Sequence, residues 1–197
     1  MLQIASAGSQ PSWDSLVLGG VKMDVKLTFA VDHTVLADRR QRRAGPVTRL
    51  EVLNLLLRLP VGQETRVDWS EYELRLVTPH LGAALDLGVH PDGHVVVTRW
   101  LRPALNVDSA LIAGISWDRA IAAASKFAPY CQRQVVLGDV PDDDHPFWLE
   151  ANYYGVGVIS ESGRELLEAA PFSPRQYSGA SWKFAEQTLA RTDLVTF

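Results

Sequence analysis

The chain has 197 residues, 47% of them hydrophobic and 21% charged, with a formal net charge of −4. That length fits one domain, or one domain with an N-terminal extension, and such a domain buries about 70% of the surface its unfolded chain exposes. A core of that size needs neither a structural metal nor a disulfide; Cys131, the single cysteine, excludes an internal disulfide and favours a reducing compartment.

Apolar runs such as Val95-Val96-Val97 are far shorter than the about 20 residues that span a bilayer. The first thirty residues lack a basic start followed by an unbroken apolar stretch, so no signal peptide is predicted and the expected location is cytoplasmic. Charge is uneven: residues 1–60 carry +3 and the remainder −7. Nucleic-acid binders draw most of their nonspecific affinity from basic surface, so any such surface here must be local and N-terminal.

Residues 1–20, rich in Ser and Gly with Pro11 and Gly19-Gly20, predict a loose arm or an edge hairpin. Val25, Leu27, Phe29 and Val31 alternate with Lys26, Thr28 and Ala30, the period of a half-buried strand. Arg39 to Arg43 read as a polar link closed by Gly45-Pro46. Thr48 is the expected cap of a helix beginning near Arg49, with Val47, Leu50, Leu53 and Leu57 on one apolar stripe, stopped by Pro60-Val61-Gly62. Thr65 to Trp69 and Glu73 to Val77 predict short strands.

Ala84 to Val89, the turn Pro91-Asp92-Gly93 and the return His94 to Trp100 predict a β-hairpin, Gly93 taking the positive φ that the turn requires. Ser116 is the expected cap of a helix running to Tyr130, with Trp117, Ile121, Ala124 and Ala128 on one face. Gln134 to Leu137 form a strand short and apolar enough to be covered on both faces. An acidic loop, Asp139 to Pro146, leads to a helix from Phe147 to Tyr154 that Gly155 ends. Strands at Val156–Ile159 and Arg164–Glu168 and a helix at Ser181–Arg191 complete the order. This is an α/β pattern with a mixed central sheet flanked by helices, residues 1–46 being an N-terminal extension and 47–197 the α/β domain.

From about residue 47 to 192 this order resembles the restriction-endonuclease-like, PD-(D/E)xK nuclease superfamily. Ser116-Trp117-Asp118-Arg119-Ala120 followed by Lys126-Phe127-Ala128-Pro129-Tyr130 is similar to the family's helix after its active-site strand, with Lys126 at a Gln position and Tyr130 at a Tyr position. Gln134-Val135-Val136-Leu137 resembles the following buried strand, and Tyr154-Gly155-Val156-Gly157-Val158-Ile159 a late Gly-x-Gly strand. The resemblance implies an Asp on the first hairpin strand and a Glu-x-Lys on the return strand. Together these would hold Mg²⁺ and steady the attacking water. Asp86 fits the first place and is the one implied metal ligand; Val96-Val97-Thr98 or Thr98-Arg99-Trp100 offers neither acid nor Lys.

The leading expectation is therefore a nuclease-fold protein that binds without cutting, in a protein or nucleoprotein assembly concerned with DNA or defence, and needing no cofactor. The first alternative is an active Mg²⁺-dependent DNA nuclease with rearranged residues Asp86, Lys126 and Glu51, or with Glu71 or Glu73 facing Asp86. The second is a structural or phage-type assembly subunit in which the resemblance is accidental. Arg39, Arg40, Arg42 and Arg43 are the candidate phosphate contacts, set against a solvated link.

Other clusters read as ordinary structure. Asp139, Asp142, Asp143, Asp144 and His145 lack the alternating spacing of a calcium loop, and His90 and His94 lack further ligands for zinc. No Gly-x-Ser-x-Gly elbow or phosphate loop occurs. Trp100, Trp117, Phe127, Phe147, Trp148, Tyr153 and Tyr154 are core candidates, with use at a protein interface as the minority reading.

Overall fold

The computed structural model describes residues 14–18, 21–113, 116–139, 146–173, 177–192 and 194, with side chains from residue 24. Its chain forms two units, Met1–Ala30 with Val107–Arg175, and Val31–Asn106 with Gln176–Phe197. Pro11, Gly19-Gly20 and the Asp142–His145 part of the acidic loop lie outside the described residues.

The first unit is built on one mixed sheet. Its strands are β1 (Asp14–Leu18), β2 (Val21–Val31), β6 (Leu105–Ala113), β7 (Gln132–Leu137), β8 (Gly157–Ser160) and β9 (Glu165–Leu167), in the order β1-β2-β6-β7-β8-β9. β1 and β2 form an antiparallel hairpin, so the N-terminal segment does supply an edge strand. β6, β7 and β8 are parallel, which requires crossovers, and α4 (Trp117–Ser125) and α5 (Pro146–Tyr154) provide them. The two helices meet through Trp117, whose ring lies edge-on to Phe147 at 3.8 Å and whose Nε1 donates to Glu150 Oε2 at 2.5 Å. β6 is an element the sequence reading did not mark, although Leu105, Val107, Ala110 and Ile112 are its buried residues.

Close approach explains one glycine. A Cβ at Gly157 would stand 2.8 Å from Ala169 N and 3.0 Å from Ala169 Cα, so only a residue without a side chain fits beside that backbone. Gly155 ends α5 at φ 65, the left-handed cap expected from its position.

The second unit carries α1 (His33–Arg42), α2 (Leu50–Leu57), α3 (Glu71–Val77) and α6 (Gly179–Leu189) with a three-stranded antiparallel sheet in the order β3-β5-β4. Here β3 is Glu64–Arg66, β4 is Leu85–Val89 and β5 is Val95–Arg99. The predicted hairpin is therefore observed, but it lies in a different sheet from β7. Its turn closes through His90 N to His94 O and Gly93 N to His90 O, both at 2.8 Å, with Gly93 at φ 88.

The core of this unit gathers Val52, Leu53 and Leu56 of α2, Leu76 and Val77 of α3, Leu85, Val97, Leu101 and Trp182. Burying each aliphatic side chain of that size stabilises by roughly 1.5–3 kcal/mol. Arg99 lies on the buried side of β5 and donates to the carbonyls of Leu56 (2.8 Å), Leu59 (3.0 Å) and Leu101 (2.8 Å), so it caps the end of α2.

Three local expectations are corrected. The Arg39–Arg43 segment is not a link: it is the second half of α1 and its cap. Asp32 accepts from Val35 N at 3.0 Å to start that helix, and Arg43 in the left-handed region (φ 54) ends it. Glu73 to Val77 is helical, because Ser70 and Glu73 form a reciprocal capping box that opens α3. The cap of α2 is Arg49 instead of Thr48, with no side-chain cap bond. Among the described residues no helix is long and apolar enough to cross a membrane.

Candidate functional site

The face of α1 decides what each arginine can do. Val35, Leu36 and Arg39 are its buried residues. Arg39, 2% exposed, pairs with Glu186 of α6, itself 1% exposed, and one of the two Arg39–Glu186 hydrogen bonds measures 2.9 Å. Glu186 also accepts from Val47 N at 3.0 Å and Trp182 Nε1 at 2.9 Å, while Arg39 Nε donates to Arg102 O at 2.9 Å. A buried ion pair is retained only when its remaining polar atoms are satisfied, and these are. Arg39 is thus a structural residue, withdrawn from any phosphate.

The neighbouring face carries Asp38, Gln41 and Arg42, three and four residues apart and so on one side of the helix. They border an open cleft of about 680 Å³ whose other walls are Val61, Gly62, Gly82, Trp100 and Arg102. The Arg42 guanidinium lies over the Trp100 ring, 4.2 Å from its centroid. Asp38 accepts from Arg102 Nη2 at 2.7 Å. Gly62 and Gly82 have φ of 70 and 77, so the backbone requires glycine and leaves that wall bare.

Trp100 also reaches the hairpin carboxylate: its Nε1 donates to Asp86 Oδ2 at 2.6 Å. The β4–β5 register sets Asp86 opposite Thr98. Side chains alternate along a strand, so Thr98 and Trp100 share the face of β5 that Asp86 occupies on β4, while Val97 and Arg99 point into the core. Neither Val96-Val97-Thr98 nor Thr98-Arg99-Trp100 thus sets an acid or a Lys beside Asp86.

The remaining site candidates are dispersed. Glu51 pairs with Arg49 at 3.6 Å and borders a groove of about 430 Å³ between α2 and α3, together with Arg58, Tyr72 and Glu73. Glu73 is engaged in its capping box, and the hydrogen bonds from Ser70 hold its carboxyl below the usual range. Lys126 follows α4 in the other unit. Arg40 donates to Leu194 O at 2.8 Å, and Arg43 is exposed at the end of α1. At the hairpin tip, Asp92 lies 2.9 Å from His90 Nδ1 and 4.0 Å from His94 Nε2, and Arg66 contacts His94. Among the described residues no group of three or more His, Cys, Asp or Glu side chains is placed to hold a metal ion.

Of the aromatic core candidates, Phe127 and Phe147 are buried, while Tyr153 (84% exposed) and Tyr154 (43%) lie open on α5 beside Leu149 (77%). The Arg42–Trp100 contact is the feature that sequence reasoning missed; both residues were visible, but nothing in their spacing joins them. Comparison of the chain with protein-family models, curated proteins and solved structures finds no match in any of the three.

Proposed function

We propose that this protein binds without cutting, as a degenerate relative of the PD-(D/E)xK nucleases acting in a cytoplasmic protein or nucleoprotein assembly. The observation that carries this reading is the engagement of Asp86 by the Trp100 indole, opposite Thr98. Divalent-metal hydrolysis needs hard anionic ligands around an ion, and neither an indole N–H nor a hydroxyl replaces them. The hairpin is instead suited to hold Trp100 as one wall of a binding cleft.

Support for a nucleic-acid partner comes from Arg42 in the cleft and from Arg40 and Arg43 near it in sequence, a smaller basic set than the four-arginine run suggests. Support for a protein partner comes from Leu149, Tyr153 and Tyr154 on α5, since exposed Tyr side chains are frequent anchors at interfaces. The single free thiol, Cys131, agrees with a reducing compartment.

Incubating the purified chain with labelled single- and double-stranded DNA and with Mg²⁺ or Mn²⁺ tests the reading. The expected result is intact substrate. Metal-dependent cleavage that disappears in Asp86→Ala would overturn it and favour the rearranged nuclease.

A further inference from the structure

Among the described residues, the cleft beside α1 holds a cation without an anionic partner. Asp38 and Arg102 neutralise each other, but among the described residues no carboxylate stands within ion-pair distance of Arg42; its contact is the Trp100 ring. A guanidinium held over an indole by a cation–π contact keeps its five N–H donors, and those donors can receive a phosphate or carboxylate in bidentate fashion. Counting Arg42, Arg102 and Asp38, the lining carries one positive charge in a chain whose net charge is −4.

The other lining groups narrow the ligand. Asp38 adds carboxylate acceptors, which suit hydroxyl groups, and Gln41 adds an amide that both donates and accepts. The volume of about 680 Å³ lies within the range of small-molecule sites and exceeds what an isolated inorganic anion needs. Gly82 opens the wall further, since a Cβ there would meet nothing within 4 Å. An oriented guanidinium, a carboxylate and an amide on one helix face match the phosphate, sugar hydroxyls and base edge of one ligand class.

We propose that this cleft binds a nucleoside phosphate, with Arg42 receiving the phosphate. The inference rests on the binding reading above and deepens it. Two sources share that chemistry, a free mononucleotide and the terminal nucleotide of a strand.

Calorimetric titration of the full chain tests the proposal. The probes are AMP, GMP, CMP and UMP, short oligonucleotides with and without a 5′-phosphate, and inorganic phosphate. The expected result is saturable binding of at least one mononucleotide or 5′-phosphorylated oligonucleotide. Binding weakens about tenfold or more in Arg42→Ala, consistent with loss of a charge-assisted bidentate contact. Mononucleotide binding is unchanged in Arg75→Ala, because Arg75, exposed on α3, is no part of the cleft lining. Arg42→Lys, which keeps the charge and loses the planar fork, falls between, and an unchanged thermal melt shows that each variant is folded. Tight mononucleotide binding identifies the free ligand; dependence on the terminal phosphate identifies a strand end; both support the cleft.

No heat with any nucleotide or oligonucleotide overturns the proposal, as does inorganic phosphate binding as tightly as the nucleotides. Oligonucleotide binding that survives Arg42→Ala undiminished overturns the cleft assignment while leaving the nucleoprotein reading intact. Metal-dependent cleavage would instead remove that reading itself, so the two failures are distinguishable.

Discussion

The Trp100 indole donates to Asp86 Oδ2 at 2.6 Å, joining the last residue of the hairpin's return segment to an acid on its first strand. The same ring carries Arg42 on its face. One tryptophan therefore links an anion at its edge to a cation over its π-system, and the carboxylate serves to orient the wall of the cleft. The Arg42 position depends on Trp100, and the Trp100 position depends in part on Asp86.

That chain of contacts predicts the effect of Asp86→Ala. The bond is charge-assisted but solvent-exposed, so its loss costs about 1 kcal/mol or less. Urea denaturation checks the stability change, and a double-mutant cycle with Trp100→Phe isolates the pair. Coupling indistinguishable from zero would mean that Asp86 does not hold the ring.

A larger effect is expected at the buried ion pair. Glu186→Ala leaves the Arg39 guanidinium charged and unpaired in the core, and removing one partner of such a pair costs about 3–5 kcal/mol. The double change Arg39→Met with Glu186→Leu removes both charges and is expected to cost less than Glu186→Ala alone. Equilibrium urea unfolding of the three variants gives the ordering.

Gly157 permits a steric prediction. Gly157→Ala drives a methyl group against Ala169, 2.7 Å from its Cβ and 2.8–3.0 Å from its backbone N and Cα before any shift. Overpacking of this kind costs about 1–3 kcal/mol. Gly163→Ala is a contrasting control: a Cβ there meets nothing within 4 Å, so its cost comes from the positive φ of 83 instead of a clash.

Cys131 supplies a pH dependence. Its burial pushes the thiol up to about 12. The unfolded thiol ionises at an ordinary value, about 8.5, so above that pH the unfolded chain has lost a proton that the folded chain keeps. This contribution to stability is fully present below pH about 8.5 and declines as pH rises toward 12. Cys131→Ala should flatten that part of the pH profile of urea midpoints. The native thiol should also react slowly with a disulfide reagent near pH 8 and rapidly once unfolded.

Much of this architecture was readable from alternation and turn chemistry. The β2 strand, the β4–β5 hairpin with its Asp92-Gly93 turn, β7, α5 with Gly155, and α6 all carry local signals that survive in the structure. The helical Arg39–Arg43 segment was hidden because one of the three buried residues of α1 is itself an arginine, neutralised by a glutamate far along the chain. At α3, the Ser70-x-x-Glu73 signature was present and outweighed by the apolar residues Leu74, Leu76 and Val77. The site was the least legible part. Arg42 read as a phosphate contact and Trp100 as core, and only the tertiary structure brings their side chains together.

The most direct measurement is an anomalous difference map from crystals grown with manganese. The account predicts no peak within coordination distance of Asp86 and an unbroken Asp86–Trp100 hydrogen bond. A well-occupied peak bound by Asp86 and a second carboxylate, with the indole displaced, would contradict it.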